Sequence, residues 1–217
     1  MKTPFLKELP LLLIIAVPFV YLALIWNSLP EVVPIHWDLY GRPNGWGSKA
    51  ELILIPVLLP LLIYVIMTFV PKFDPKKKIE TMGSKFQDLR LILTIFMSAL
   101  ATFIIYTATG TSAPSFNYIA IFLGLLFAVL GNYFQTIKPN YFIGIRTPWA
   151  LENEEVWRKT HQLGGKLWFA GGLVIILAGL FLKEEIYIVV FIGITILLVV
   201  VPFVYSYREF KKMSKPV

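Results

Sequence analysis

The sequence predicts an all-α integral membrane protein of six transmembrane helices with both termini cytoplasmic, and three observations carry that prediction. The 217 residues are 57% hydrophobic and only 15% charged, with a mean hydropathy of +0.72, well above a soluble domain. The apolar residues gather in six blocks, each wide enough for a bilayer. Lys and Arg are divided very unevenly between alternate connections.

The blocks at 9–26, 52–70, 91–109 and 118–134 contain no Asp, Glu, Lys, Arg or His. The fifth, 167–182, is short and is expected to borrow residues 163–166, with Lys166 snorkelling to the interface. The sixth is 186–207. Helices satisfy their own backbone hydrogen bonds in lipid at such lengths, whereas barrel strands are about half as long and alternate polar with apolar residues. Lys2 and Lys7 precede the first block as in a secretory signal, but the residues that end it offer no small-x-small cleavage site, so it reads as an uncleaved anchor. Cysteine is absent, which excludes disulfides, thiolate catalysis and cysteine metal sites.

Orientation follows from the basic residues. The N-terminus, the second and fourth connections and the tail carry 17 Lys and Arg, while the other connections carry only Arg42, Lys49 and Lys183. The net charge of +7 therefore sits beside membrane spans. Its expected partner is anionic lipid headgroup, at about 1 kcal/mol per basic residue near the surface, with no direct nucleic-acid role.

Two units are expected: residues 1–88, two spans with an external loop at 27–51, and residues 89–217, four spans with a cytoplasmic loop at 135–165. The segment Val17-Pro18-Phe19-Val20-Tyr21 recurs at 201–205, but the flanks do not follow it, and each proline reads as a helix kink. The spans carry no ionisable residue other than tyrosine, which removes the machinery of proton relays. A passive transporter or channel built from backbone carbonyls stays open as a reading. Thr94, Ser98 and Thr102, then Gly124, Ala128 and Gly131, then Gly165, Gly172 and Gly179, each line one helix face and read as packing surfaces.

Function is therefore expected in the two long loops. The external one has strand-like stretches over 32–40 and a turn by composition at Arg42-Pro43-Asn44-Gly45, giving a small extended lid. Its candidate ligand-binding residues are His36, Trp37, Asp38, Tyr40, Arg42 and Lys49. His36 and Asp38, two apart, would share a strand face and are a weak metal or proton-transfer candidate that Glu31 and Glu51 could supplement. No metal or other cofactor is expected. In the internal loop Asn153 caps a helix whose first turn carries Glu154 and Glu155. Glu154 is expected to pair with Arg158 and Glu155 with Lys159, with Val156, Thr160, Leu163 and Leu167 opposite, as an amphipathic interfacial helix ahead of span five. Arg146 is expected to bridge Glu152 or a phosphate. Arg146, Thr147, Trp149, Glu155, Trp157 and His161 are the candidate partner-docking residues. An enzyme reading would use His36 with Asp38, or His161 with Glu154 and Glu155, and is the less favoured.

Asn140, Gly144, Ile145, Arg146, Thr147, Pro148, Trp149, Glu155, Val156, Trp157, Thr160, His161, Gly164 and Gly165 together resemble the signature of the SdpI family of bacterial immunity proteins. Leu29, Pro30, Pro34, His36, Gly41, Gly45, Gly47, Ser48 and Lys49 resemble the small membrane domain of unknown function that often precedes it. The resemblance covers nearly the whole chain. It implies a multi-pass cell-membrane protein of immunity and signal transduction. Outside, the ligand would be a membrane-active toxin peptide, to which the protein gives resistance. Inside, the partner would be a transcriptional repressor held at the membrane.

Overall fold

A computed structural model describes residues 4–38, 40–74, 76–110 and 116–213. The basic residues Lys2 and Lys215 and most of the short connection at 110–117 lie outside the described residues. Among those described, six helices are long and apolar enough to cross a membrane: Glu8–Ser28, Lys49–Phe73, Ser84–Thr107, Asn117–Phe134, Glu154–Phe181 and Glu184–Met213. The chain is a multi-pass helical membrane protein, as its blocks predict.

It folds as two compact units that interleave in sequence. The first holds the chain up to Phe69 together with Gln87–Phe116; the second holds Val70–Phe86 and the chain from Asn117 onward. In the first unit, helix α1 (Pro4–Ile25) leads through a turn at Trp26–Ser28 into strands β1 (Val32–Trp37) and β2 (Pro43–Ser48). The second span opens as a tight turn, Lys49–Ile53, continues as α2 (Leu54–Pro56), widens over Val57–Leu61 and becomes α3 (Leu62–Phe73). The widening has a cause in sequence. Pro60 has no N–H to give to Pro56 and its ring would strike that carbonyl, so the ladder shifts until Leu62 N–H reaches the Val57 carbonyl.

Helix α4 (Ser84–Thr107) brings in Arg90, which the block pattern assigns to a connection. The structure corrects this. Arg90 lies inside the helix with its side chain 6% exposed, paired with Glu8 through both guanidinium ends at 3.0 and 2.8 Å. Gln87 and Thr68 accept further bonds from it, and the Tyr64 ring lies 5.5 Å away. A fork-to-fork pair whose two Nη groups find further acceptors is a form in which a buried charge is tolerated, and here it ties α1, α3 and α4 together.

The second unit contains α5 (Phe116–Phe134), α6 (Pro148–Glu152), α7 (Glu154–Phe181) and α8 (Glu184–Met213). The small-residue faces of α5 and α7 meet backbone to backbone. A Cβ on Gly131 would lie 2.2 Å from Phe169 N, one on Gly165 2.6 Å from Gly131 O, and one on Gly172 2.4 Å from Gly124 O. In lipid, where burying apolar surface drives little, such close approach supplies the dispersion contact that holds helices together. The interfacial helix expected ahead of span five is not a separate element. Nothing between Glu154 and Phe181 breaks the backbone ladder, and Gly164 and Gly165 are tolerated because a side chain there would strike Ile145 and Gln135.

Candidate functional site

In the first unit the lid is an antiparallel hairpin, pairing Val32 with Ser48 and Trp37 with Pro43. Val33 and Leu52, both fully buried, seat it on Leu22 of α1, on Ile105 of α4 and on Ala108 just past its end. Ser48 ends β2 with a capping box: its hydroxyl accepts from Ala50 N, and Glu51 accepts from Ser48 N at 3.0 Å. Glu31 pairs with Lys49 at 2.8 Å, and the Lys49 ammonium lies 5.3 Å from the centre of the Trp26 ring. Glu31 and Glu51 are thus engaged in holding the hairpin.

The turn is not where composition puts it. Pro43, Asn44 and Gly45 belong to β2, and the reversal lies ahead of them, with Gly41 at φ +68° and Asp38 Oδ1 accepting from Tyr40 N and Arg42 N at 2.8 and 2.9 Å. Gly45 is needed beneath His36, because a Cβ there would come within 2.8 Å of the His36 Cβ. The expectation that His36 and Asp38 share a strand face also fails. β1 ends at Trp37, the register slips on both sides of His36, and Asp38 faces its own turn. His36 Nδ1 pairs with Asn44 Oδ1. What the hairpin offers to a ligand is exposed His36, Tyr40, Arg42 and Trp46, the last 61% exposed, with the Arg42 guanidinium 5.7 Å from the Tyr40 ring centre.

In the second unit the long internal loop is ordered by side chains bonded to backbone. Asn140 Oδ1 accepts from Phe142 N and Ile143 N at 2.9 and 2.7 Å, and its Nδ2 donates to the Lys138 and Ile143 carbonyls. Gly144 then takes φ +107°, with His161 where its side chain would be. The Ile145 amide donates to His161 Nε2 at 2.9 Å, so Nδ1 carries the proton and donates to the Trp157 carbonyl, also at 2.9 Å. Both ring nitrogens are consumed, and the ring stacks on Trp157 at 4.0 Å. His161 is therefore a clamp between loop and α7. Trp157 donates from Nε1 to the Ile137 carbonyl, and Thr147 caps α6 while its hydroxyl meets that of Ser206.

Of the predicted docking residues, Thr147, Trp157 and His161 are thus buried, whereas Arg146 is exposed and Trp149 and Glu155 are half-buried. Trp149 packs on Phe203 and Tyr207 at 5.2 and 5.0 Å. Arg146 donates to the Tyr141 carbonyl at 2.8 Å in place of the expected bridge to Glu152. The pairing along α7 follows expectation in part: Lys159 lies 3.8 Å from Glu155, as its spacing predicts, and also reaches Glu209 of α8 at 3.0 Å. Arg158, expected on Glu154, is held by Glu155 at 2.6 Å instead, and Glu154 faces Lys78 at 3.8 Å. Among the described residues no three His, Asp or Glu side chains gather as a metal site. Sequence reading gives Trp168 only an interfacial-belt role, whereas its Nε1 donates to the Leu198 carbonyl at 3.1 Å. Pro202 leaves that carbonyl without its helical donor, so the proline itself was the signal.

Two ordered loops, each set on its own group of apolar helices, define the class: a multi-pass membrane protein whose distinctive surfaces are loops. Residues 136–206 match the SdpI/YfhL protein family and residues 13–59 match a domain of unknown function, DUF1648. The chain thus carries an SdpI-family domain behind a DUF1648 domain. It is 27% identical to the immunity protein SdpI of Bacillus subtilis strain 168 over 209 residues, 96% of this chain and 98% of that protein. An uncharacterized protein of Archaeoglobus fulgidus is 34% identical over 56 residues, 26% of this chain and 31% of that protein. No solved structure gives a significant match.

Proposed function

We propose that this chain is a membrane immunity and signalling protein whose hairpin recognises a membrane-active toxin peptide, or a ligand like it, outside the cell, and whose internal loop docks a cytoplasmic partner such as a transcriptional repressor. The observation that carries the reading is similarity to an immunity protein over 98% of that protein's length, covering both loops. The distribution of Lys and Arg supports cytoplasmic termini, which would put the hairpin outside and the Arg146 loop inside. On this reading His36, Trp37, Tyr40 and Arg42 meet the ligand, and Asp38 and Lys49 hold the hairpin in shape. Arg146, Trp149 and Glu155 face the partner, and Thr147, Trp157 and His161 keep their loop in the conformation that presents them.

Expression in a toxin-sensitive Bacillus subtilis host lacking its own SdpI tests the proposal. Survival should rise with the intact chain and fall with His36→Ala or Arg42→Ala at equal membrane levels. Equal protection by intact protein and hairpin variants would contradict the outer recognition role, and reporter fusions that place the hairpin inside would contradict the orientation.

A further inference from the structure

The internal loop and three helices of the second unit enclose a crevice of about 320 Å³. Phe134, Ile145, Trp168, Leu198 and Phe203 make its wall, and Arg146 is the one charged residue in the described lining. The polar atoms nearby are already used: Thr147 bonds Ser206, and Trp168 takes the Leu198 carbonyl. Arg146 is different. It is exposed, and among the described residues its one hydrogen bond runs from Nη1 to a neutral carbonyl, whereas Arg90 and Arg158 are each paired with a carboxylate. A planar guanidinium fixed at one corner keeps further donors for an oxyanion. Val199 and Phe203, which line the crevice, are also exposed on a helix long enough to cross a membrane.

We infer that this crevice is a binding site for an anionic phospholipid, with one acyl chain against Trp168, Leu198 and Phe203 and the phosphate on Arg146. Charge complementarity selects the head and the apolar wall selects the tail. A soluble anion would use only the first and a neutral lipid only the second. The inference goes beyond immunity, since binding needs neither toxin nor repressor; the headgroup would form part of the face a partner meets.

Native mass spectrometry of the full chain released from detergent tests it, using phosphatidylglycerol and diacylglycerol, which lacks the phosphate, with identical acyl chains. The wild type should retain phosphatidylglycerol about tenfold better, the size of one charge-assisted hydrogen bond. Arg146→Gln should abolish that preference and Arg208→Gln, an exposed cation further along the same helix as Val199, should leave it intact. Val199→Trp, which fills the crevice, should lower retention of both lipids and carries the test should Arg146→Gln fail to fold. Equal loss in Arg146→Gln and Arg208→Gln would reduce the effect to general surface charge and overturn the site. Persistence of the preference in Arg146→Gln, or displacement of lipid by millimolar inorganic phosphate, would overturn it as well.

Discussion

Adding a single methyl group at Gly131 should loosen the second unit. The new Cβ would sit 2.2 Å from Phe169 N, 2.7 Å from Gly165 O and 2.8 Å from Trp168 C, and the first of these is 1.2 Å short of the 3.4 Å at which ordinary contact begins. All three atoms are backbone, so no side chain can rotate away, and α5 and α7 must separate. That separation also opens the contacts of Gly165 and Gly172, whose near neighbours are Gly131, Gly124 and Ala128. Overpacking costs about 1–3 kcal/mol where side chains can adjust, and a rigid backbone clash belongs at the upper end. Gly193→Ala is the matched control, because no atom lies within 4 Å of its new Cβ. Replacing glycine by alanine inside a helix contributes roughly 0.5–1 kcal/mol of its own, so the control should be neutral or slightly stabilised. Thermal unfolding of purified protein in one detergent, followed by helical circular dichroism, compares the two. Equal melting temperatures for Gly131→Ala and Gly193→Ala would refute backbone-to-backbone packing of α5 on α7.

Three more outcomes are expected. Arg90→Leu should destabilise the first unit by about 3 kcal/mol, the lower end of the range for a broken buried pair because Glu8 keeps 32% of its side-chain surface exposed; restoration by the double variant with Glu8→Leu in a thermal-unfolding cycle checks it. Trp168→Phe keeps a ring but orphans the Leu198 carbonyl beside Pro202, costing about 1–3 kcal/mol, with faster hydrogen exchange in the turn above residue 198 as the readout. His161→Phe removes the acceptor of the Ile145 amide and should release the loop, read as new protease sensitivity near Gly144 at a cost of about 1–3 kcal/mol.

The spans were legible because a bilayer demands long uncharged runs, and blocks such as 118–134 have no competing explanation. The glycine faces of α5 and α7 were legible for a similar reason, since in lipid few other uses exist for aligned small residues. Arg90 was not, because a charge at the edge of an apolar block looks the same whether it meets water or Glu8; the deciding partner is 82 residues away in the chain. In the hairpin, Arg42-Pro43-Asn44-Gly45 has turn composition, yet the slipped register at His36 lets Gly45 sit under it, and Asp38 with Gly41 makes the reversal. The buried face of α7 holds Val156 and Thr160 as expected and is wider than the aliphatic pattern marks. Trp157 and His161 are buried beside Val156 and Thr160, because an indole and an imidazole whose polar atoms bond loop backbone can enter a core that pattern reading reserves for aliphatic residues.

Survival of a toxin-exposed Bacillus subtilis host that lacks its own SdpI and expresses this chain tests immunity most directly. Protection by the intact chain, diminished by His36→Ala or Arg42→Ala at equal membrane levels, is the result predicted. Survival no better than the empty host, with the protein shown to be membrane-inserted and folded, would contradict it.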